Sequence, residues 1–290
     1  MDGKKASLER RESLIERIGI LRKKNREPIL ATLAVFPSKP SLSYIKSRAK
    51  VFKYVGIKTE TLIFEDQKDT TITDEKLIGI INKWNEDKGI SGIMVEMPLP
   101  DSMNTFKVLS AISPFKDVDC LNPLSLGYLV YGKPLFLPAT PMGVLFLFEK
   151  YNIDLVSKNV VIIGRGRTVG RPLSIILSSR NKKYGNATVT LCHSRTFNIP
   201  YISSRADILI TAMGQPEKID HTYIKENAVV VDAGINVVKD GDKKKIVGDV
   251  DFEKVKDKVY AITPVPGGVG PMTITALMEN IVLSLERLYE

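Results

Sequence analysis

The sequence has few of the residues that build metal centres and covalent crosslinks. Its 290 residues include two cysteines, Cys120 and Cys192, and two histidines, His193 and His221. Two cysteines cannot form a disulfide framework and two histidines cannot form a histidine-rich cage, so no metal site is predicted. No stretch approaches the ~18 consecutive apolar residues that span a bilayer, and the charged start lacks the apolar core of a secretory signal. We expect a cytoplasmic protein that binds no membrane.

The charge balance is basic but dispersed. The chain has 42 Lys+Arg against 33 Asp+Glu, a formal net charge of +9. The dense basic runs are at 22–24 and 243–245, and no aromatic-and-basic RNA-binding signature accompanies them. We interpret both runs as solvated surface and expect no nucleic-acid partner. Nucleotide phosphates or carboxylated substrates fit the positive charge better.

Apolar periodicity predicts two blocks of alternating helices and strands. An N-terminal helix should bury one face formed by Leu8, Leu14, Ile15, Ile18 and Leu21. Strands are predicted at 29–35, 59–64 and 92–97, and helices at 44–55 and 74–84. After a loop and domain junction at 114–141, strands are predicted at 159–163, 187–191, 208–211, 228–232 and 259–262, and helices at 168–179 and 272–288. This alternation indicates an α/β fold with parallel strands and two domains.

A glycine-rich turn follows the strand at 159–163. Gly164, Gly166 and Gly170 form a G-x-G-x-x-x-G pattern that opens a helix, with one residue more than the dinucleotide fingerprint,. Such glycines let the backbone approach a pyrophosphate, whose charge meets the helix N-terminus. Incidental glycines in an ordinary strand–turn–helix explain the motif alone equally well.

The end of the next strand indicates the type of nucleotide. An NAD site usually has Asp or Glu there, whereas this chain has His193, Ser194, Arg195 and Thr196. A hydroxyl and cations suit the 2′-phosphate of NADP, and Arg165 adds a further positive charge. NADP is therefore predicted over NAD. His193 is expected to hydrogen-bond loop backbone and to have no catalytic role.

Seven ordered segments carry a resemblance to a known family. They are VEMPLP at 95–100, KDVD at 116–119, PATPMG at 138–143, GRGRTVGRP at 164–172, CHSRT at 192–196, DAGIN at 232–236 and TPVPGGVGPMT at 263–273. Tyr44 and Arg48 precede them at i and i+4, on one helix face. Over nearly its whole length the chain resembles the methylenetetrahydrofolate dehydrogenase/cyclohydrolase family.

The resemblance implies a homodimer acting in one-carbon metabolism and purine biosynthesis, with a folate cleft between two α/β domains. The N-terminal folate-binding domain would comprise 1–140 plus 272–290, with the last helix folding back onto it. A Rossmann-type NADP-binding domain with a parallel sheet would comprise 141–271. The substrates would be tetrahydrofolate derivatives: 5,10-methylenetetrahydrofolate gives a hydride to NADP⁺, and the methenyl product is hydrolysed to 10-formyltetrahydrofolate.

The same resemblance implies the site residues. Tyr44 would lie against the folate ring, Asp119 would accept from the pterin amino and ring N–H groups, and Arg48 and Glu96 occupy catalytic positions. The implied substrate-binding residues are Tyr44, Val95, Met97, Asp119, Pro266, Gly267, Gly268, Val269 and Gly270. The implied cofactor-binding residues are Gly164, Arg165, Gly166, Ser194, Arg195 and Ile235.

The chain departs from the family pattern at several of these positions. Arg48 replaces the lysine of Y-x-x-x-K, and Glu96 replaces the glutamine of V-Q-x-P-L. Cys120 stands for a glycine, Ala139 for a cysteine and Gly166 for a serine. A buried lysine can relay a proton near neutrality, whereas arginine stays protonated. Hydride transfer needs no such relay, because it requires positioning and a tolerated amidinium cation.

We therefore predict a bidentate pair of Arg48 with Glu96, in a protein whose dehydrogenase activity persists and whose cyclohydrolase activity is weak or absent. A competing hypothesis is that Lys46 or Lys50 restores the lost amine, although a regular helix directs both away from the face of Tyr44. Three further hypotheses are a fully bifunctional enzyme, an NADP oxidoreductase with a retuned cleft, and a catalytically silent NADP- or folate-binding module.

Overall fold

The computed structural model describes residues 1–67, 69, 71–241 and 243–288. The chain divides into two compact units, each built from two segments. Unit 1 comprises Met1–Leu8 and Thr140–Ile274, and unit 2 comprises Glu9–Ala139 and Thr275–Glu290. The predicted division instead places residues 1–8, 140 and 272–274 with the N-terminal domain, and residues 289 and 290 lie outside the described part. The first residues join unit 1 because the Met1 amine donates to the carbonyl of Ile262 and the Lys4 N–H donates to the carbonyl of Gly267.

Helices and strands alternate along the described residues. The first half contains α1 (Gly3–Lys23), β1 (Ile29–Val35), α2 (Lys39–Val55), β2 (Lys58–Phe64), α3 (Asp74–Glu86), β3 (Gly92–Val95), α4 (Thr105–Ser110), α5 (Pro123–Tyr131) and α6 (Ala139–Lys150). The second half contains β4 (Asn159–Ile163), α7 (Gly170–Ser178), β5 (Thr188–Cys192), α8 (Ile199–Ser203), β6 (Ile208–Thr211), a 3₁₀ turn (His221–Tyr223), β7 (Val229–Asp232), β8 (Asn236–Asp240), β9 (Lys243–Val247), α9 (Phe252–Val255), β10 (Ala261–Ile262) and α10 (Val269–Arg287). The predicted α/β class is confirmed.

In unit 2, the described residues form a parallel sheet in the order β2-β1-β3. Strand β1 is the central strand, and it is buried along nearly its whole length. Apolar side chains of α3, including Leu77 and Ile81, pack with β1 and β3 into one core. The carboxyl ends of these parallel strands therefore lie at one edge of the sheet, where loops and helix ends can supply functional groups.

The N-terminal and C-terminal helices pack together within unit 2. Leu14, Ile18 and Leu21 of α1 are buried as predicted, but Leu8 and Ile15 are exposed, so the apolar face is narrower than predicted. Toward α10, the Arg17 guanidinium donates to Glu286 at 2.8 and 3.1 Å. The part of α10 from residue 275 belongs to unit 2, together with most of α1.

In unit 1, the described residues form a parallel sheet in the order β10-β7-β6-β4-β5. The strand order reverses between β4 and β6, as in a doubly wound arrangement, and their carboxyl ends flank a crevice of the kind that binds ligands in such sheets. The loops following β4 and β6 are therefore candidate ligand-binding loops.

The structure corrects three sequence predictions. The segment 114–141, predicted as a loop, contains the short helix α5, and an antiparallel hairpin of β8 and β9 was not predicted. Helix α10 begins at Val269, before the predicted start at residue 272. In the β8–β9 hairpin, Lys244 and Lys245 are exposed, as expected of a solvated run. No helix among the described residues is long and apolar enough to cross a membrane.

Candidate active site

Helix α2 presents Tyr44 and Arg48 on one face, as their spacing predicts. The helix begins at a cap in which the Ser38 hydroxyl accepts from the N–H of Ser41, and it ends at Gly56, whose φ of 96° is in the left-handed region. The guanidinium carbon of Arg48 lies 5.6 Å from the centroid of the Tyr44 ring. Arg48 is buried, with 3% of its surface exposed, whereas Tyr44 remains 46% exposed. The tyrosine ring thus offers a free face beside a buried cation.

The carboxylate of Glu96 pairs with the buried guanidinium of Arg48. Glu96 follows β3, and its N–H extends the sheet by donating to the carbonyl of Leu33. Arg48 Nη2 donates to Glu96 Oε1, and the side chains are 4% and 14% exposed. The predicted pair therefore exists, but the predicted bidentate geometry is wrong, because Arg48 Nη1 is buried with no hydrogen-bond partner among the described residues. A buried N–H donor is left available for a ligand.

A substitute lysine is not found in this cluster. Lys46 and Lys50 are exposed and line a groove of about 880 Å³ together with Arg22, Lys53 and Lys58. At about 100° per residue, positions 46 and 50 point about 180° and 140° away from the midpoint of Tyr44 and Arg48. The hypothesis that Lys46 or Lys50 restores the amine is therefore not supported.

Asp119 completes the cluster, and its carboxyl has an unusual proton affinity. Desolvation raises its pKa to about 7; the carboxylates of Asp117 and Glu96 add to this increase, and Arg48 opposes it. Desolvation also raises the pKa of Tyr44, against the lowering effect of Arg48. The charges in this cluster therefore influence one another's ionisation. The cluster comprises Tyr44, Arg48, Glu96 and Asp119.

The K-D-V-D segment that carries Asp119 is held by its own side chains. Lys116 is buried and its Nζ donates to the carbonyls of Trp84 and Asp87 at 2.9 and 2.6 Å. Asp117 accepts from the N–H groups of Leu121 and Asn122 at 3.1 and 2.8 Å. The motif thus combines two structural residues with one candidate functional residue, a division of roles that the sequence pattern does not reveal.

Two further features fix the backbone around Asp119. Asn280 of α10 donates through Nδ2 to the carbonyl of Val118 at 2.7 Å and to that of Leu137 at 2.8 Å. Cys120 is fully buried and has a φ of 56°, a conformation that a side chain disfavours,. This positive φ explains why the family pattern has glycine at the position of Cys120.

The remaining residues that the sequence predicts to bind substrate have varied environments. Val95 is 1% exposed in the core of unit 2, and Met97 packs against that core. In unit 1, Pro266 and Gly267 lie in the loop before α10, where Gly267 has a φ of 113°. Gly268 is also in this segment, and Val269 and Gly270 are the first residues of α10 rather than loop residues. Because Val95 lies in the core of unit 2 and Met97 packs against that core, neither has a freely exposed side chain.

The glycine turn of unit 1 has the tight backbone that its sequence predicts. Gly164 has a φ of 122°, and a Cβ there would overlap the carbonyl oxygen of Ala212. A Cβ at Gly170 would overlap the carbonyl oxygen of Gly164, whereas Gly166 has open space around it. Gly164 and Gly170 are thus required by close backbone approach, and Gly166 is not. Arg165 and Gly166 are exposed at the crevice edge of the sheet.

The loop after β5 presents polar groups and no acid. Ser194 and Arg195 are exposed. His193 Nδ1 accepts from the Arg195 N–H at 3.2 Å, and the His193 N–H donates to Thr196 Oγ1 at 2.9 Å. The predicted backbone-bonding role of His193 is confirmed. Ile235, in the loop after β7, is 65% exposed.

Comparison with known proteins identifies the family. The model of the tetrahydrofolate dehydrogenase/cyclohydrolase catalytic domain matches residues 1–119, and the model of the NAD(P)-binding domain of that family matches residues 138–289. The bifunctional protein FolD of Thermodesulfovibrio yellowstonii is 44% identical over 282 residues, 97% of this chain and 94% of that protein. The bifunctional protein FolD of Bacillus subtilis is 42% identical over 287 residues, 99% of this chain and 97% of that protein.

Solved structures agree in both domains. The bifunctional enzyme FolD of Campylobacter jejuni has a TM-score of 0.92 and 41% identity, covering 99% of this chain and 98% of that chain. The FolD of Trypanosoma brucei, solved with NADP cofactor and inhibitor, has a TM-score of 0.91 and 32% identity, covering 99% of this chain and 97% of that chain. The resemblance inferred from the motifs is confirmed, and so is the two-domain fold. The chain belongs to the tetrahydrofolate dehydrogenase/cyclohydrolase family.

Proposed function

We propose that this chain oxidises 5,10-methylenetetrahydrofolate to 5,10-methenyltetrahydrofolate with NADP⁺, and that its hydrolysis of the methenyl product is weak or absent. The observation that supports this division is the buried contact between Arg48 and Glu96. The family pattern has a lysine and a glutamine at these positions. The relatives with similar sequences are bifunctional FolD proteins, so the proposal separates this chain from them in one of two activities.

The cofactor half of the proposal is supported by the crevice edge of the unit 1 sheet. Gly164 and Gly170 provide the close backbone approach that a pyrophosphate needs at the start of α7,. Ser194 and Arg195 are exposed after β5, where a 2′-phosphate would be met by a hydroxyl and a cation. Bound NADP⁺ supplies the acceptor for the hydride. The NADP complex of the Trypanosoma brucei relative supports the same choice.

Two side chains of unit 2, Tyr44 and Asp119, are proposed to bind and orient the folate. The free face of Tyr44 suits stacking against a flat ring, and ionised Asp119 can accept two N–H groups from an amidine-like ring edge. A substrate that donates to Asp119 favours its ionised form and lowers its pKa from about 7,. Pro266, Gly267, Gly268, Val269 and Gly270 are proposed as further substrate contacts on the strength of the family resemblance.

The two reactions make different demands on Arg48 and Glu96. Oxidation leaves a cationic amidinium on the substrate, but the Glu96 carboxylate is already neutralised by its pair with Arg48 and adds little net negative charge to stabilise it,. Hydrolysis requires a group that takes a proton from water and later returns it. Arg48 cannot do so, since its guanidinium stays protonated and its Nη2 is held by Glu96,. Hydride transfer remains possible because it needs no proton relay, whereas hydrolysis lacks the lysine that would relay protons.

A second candidate function, the fully bifunctional enzyme, is favoured by one observation. The pKa of Asp119 is raised to about 7, which suits a group that exchanges protons near neutrality,. If Asp119 took over the relay, hydrolysis would survive the loss of the lysine. The two candidates therefore differ in the measured rate of hydrolysis.

The test measures both reactions on the purified protein. NADP⁺ reduction with 5,10-methylenetetrahydrofolate is compared with the disappearance of 5,10-methenyltetrahydrofolate. We expect hydrolysis at least about tenfold slower than oxidation, a deficit of about 1.4 kcal/mol or more in activation free energy. The Arg48→Lys/Glu96→Gln double variant should regain hydrolysis, whereas Lys50→Arg, on the exposed face of the same helix, should not. Comparable rates of hydrolysis and oxidation in the unmodified protein would refute the proposed loss of hydrolysis.

The assay also distinguishes the folate enzyme from a protein with a different task. NADP⁺ binding without turnover of 5,10-methylenetetrahydrofolate would favour the retuned oxidoreductase or the silent binding module. We further propose that the protein is a homodimer, so light scattering should give twice the chain mass of 32.3 kDa. A cytoplasmic location is proposed on the sequence alone, and fractionation of the source cells tests it.

A further inference from the structure

A buried carboxylate in unit 1 collects an unusual set of hydrogen-bond donors. Asp249, fully buried after β9, accepts through Oδ2 from the N–H of Met213 at 2.7 Å and from that of Gly214 at 3.3 Å. Its Oδ1 accepts from the N–H of Gln215 at 2.9 Å and from Nδ2 of Asn236 at 3.0 Å. Three successive backbone N–H groups around one anion form a nest. The anion that fills this nest is the chain's own carboxylate.

The loop held by Asp249 lies where the strand order reverses. It follows β6, and the carbonyl of Ala212 at its start contacts Gly164 of the glycine turn. Doubly wound sheets bind their ligands in the crevice at this point. The conformation of residues 213–215 therefore shapes one wall of the crevice. Because its three N–H groups are already bonded to Asp249, the loop cannot use them for a cofactor phosphate.

The same carboxylate system holds both neighbours of a proposed cofactor contact. Ile235 projects from the loop after β7, between Gly234 and Asn236. The N–H of Gly234 donates to Asp232 Oδ1 at 2.9 Å, and Asn236 donates to Asp249. A Cβ at Gly234 would overlap the Asp249 carboxyl group, so the loop packs directly on it. The exposed Ile235 side chain thus lies between two held residues, Gly234 through its backbone N–H and Asn236 through its side-chain amide.

Asp232 links the segment around Asp249 to neighbouring strands of the sheet. Its carboxylate accepts from the N–H groups of Asp249 and Val250 at 3.1 and 2.8 Å and from the Thr211 hydroxyl at 3.0 Å. Its own N–H donates to Thr263 Oγ1 at 2.8 Å. Segments that are far apart in sequence are therefore tied together beneath the crevice by two acidic side chains.

We propose that Asp249 is a positioning residue for cofactor binding, which fixes the loop 213–215 and, through Asn236, the orientation of Ile235 toward the nicotinamide cofactor. This inference rests on the proposed NADP-dependent function. Asp249 need not touch the cofactor, because it acts through the loops that do. Its loss should therefore weaken NADP⁺ binding more than it slows the reaction at saturating NADP⁺.

The main test is Asp249→Asn in the full-length protein. The amide has the same shape, but its NH₂ group would face backbone or side-chain N–H donors in place of an accepting oxygen. We expect the NADP⁺ dissociation constant, from calorimetric titration, to rise about tenfold or more, with kcat at saturating NADP⁺ lowered by less than about threefold. The matched control is Asp251→Asn. Asp251 lies two residues away, caps α9 and pairs with Lys254, so NADP⁺ affinity should not change.

A second variant keeps the test valid if Asp249→Asn fails to fold. Asn236→Ala removes a single donor to Asp249 at a partly exposed position, and it should weaken NADP⁺ binding severalfold without lowering the melting temperature appreciably. Unchanged NADP⁺ affinity in every folded variant, or a fall in melting temperature with normal affinity, overturns the inference. The unmodified protein is titrated first: if it does not bind NADP⁺, the proposed function fails instead.

Discussion

Replacement of Asp119 by asparagine should stabilise the protein at alkaline pH and have little effect at acidic pH. The pKa of Asp119 is about 7 in the folded protein, against an ordinary value of 3.8. Because the folded state binds the proton more tightly than the unfolded state, folding becomes less favourable as the pH rises from about 4 to 7. At about 1.4 kcal/mol for each tenfold change in proton affinity, the full penalty is about 4 kcal/mol. Asparagine resembles the protonated carboxyl group and avoids this penalty.

Urea unfolding of both proteins at pH 4.5 and pH 8 measures the effect. The free energy of unfolding of Asp119→Asn should exceed that of the unmodified protein by up to about 4 kcal/mol at pH 8, and the difference should shrink to about 1 kcal/mol at pH 4.5. Other buried carboxyl groups, such as Asp232 with a pKa of about 6, are present in both proteins and largely cancel. An equal difference at the two pH values, or a variant that is less stable at pH 8, would refute the reasoning.

Three further predictions concern backbone fit and cofactor choice. Cys120→Ala should lower the free energy of unfolding more than Cys120→Gly, because glycine relieves the cost of a φ of 56° by about 1 kcal/mol,; urea unfolding that ranks alanine above glycine contradicts this. Gly170→Ala should cost about 3 kcal/mol or more, since its Cβ meets backbone,, while Gly166→Ala should change stability by less than about 1 kcal/mol. Arg195→Ala should lower the preference for NADP⁺ over NAD⁺ in kcat/KM by about tenfold; an unchanged ratio would remove Arg195 from 2′-phosphate binding.

The sequence predicts which side chains of the candidate site lie close together where they are carried by a regular helix or strand. The i, i+4 spacing of Tyr44 and Arg48 places them on one helix face, and opposite charges at Arg48 and Glu96 predict their contact. The number of hydrogen bonds in that contact was not predictable, because it depends on how β3 approaches α2. The role of Lys116 and Asp117 was also hidden, since their partners are backbone groups that only the folded chain brings near.

The errors in the fold have similar physical causes. The helix α5 is nine residues long and contains Gly127, so its apolar pattern is too short to separate from a loop,. Leu8 and Ile15 fit the helical period but lie at the margin of the buried face of α1. The sequence pattern does not single out Asp249, although an acidic residue directly after a glycine, in Gly248-Asp249-Val250-Asp251, was the available signal. Its nest forms only when the loop 213–215 meets the segment after β9, which is more than 30 residues away in sequence,.

The ion pair between Arg48 and Glu96 also constrains how the chain could have arisen from the family pattern. Removing one partner of a buried pair leaves an uncompensated charge and costs about 3–5 kcal/mol, a large share of the stability of a typical domain. Glutamate beside the original lysine would still be neutralised, whereas arginine beside glutamine would not. Of the two single replacements, the one at position 96 alone would therefore keep a cation paired with a carboxylate, whereas the one at position 48 alone would bury a guanidinium that cannot release its proton.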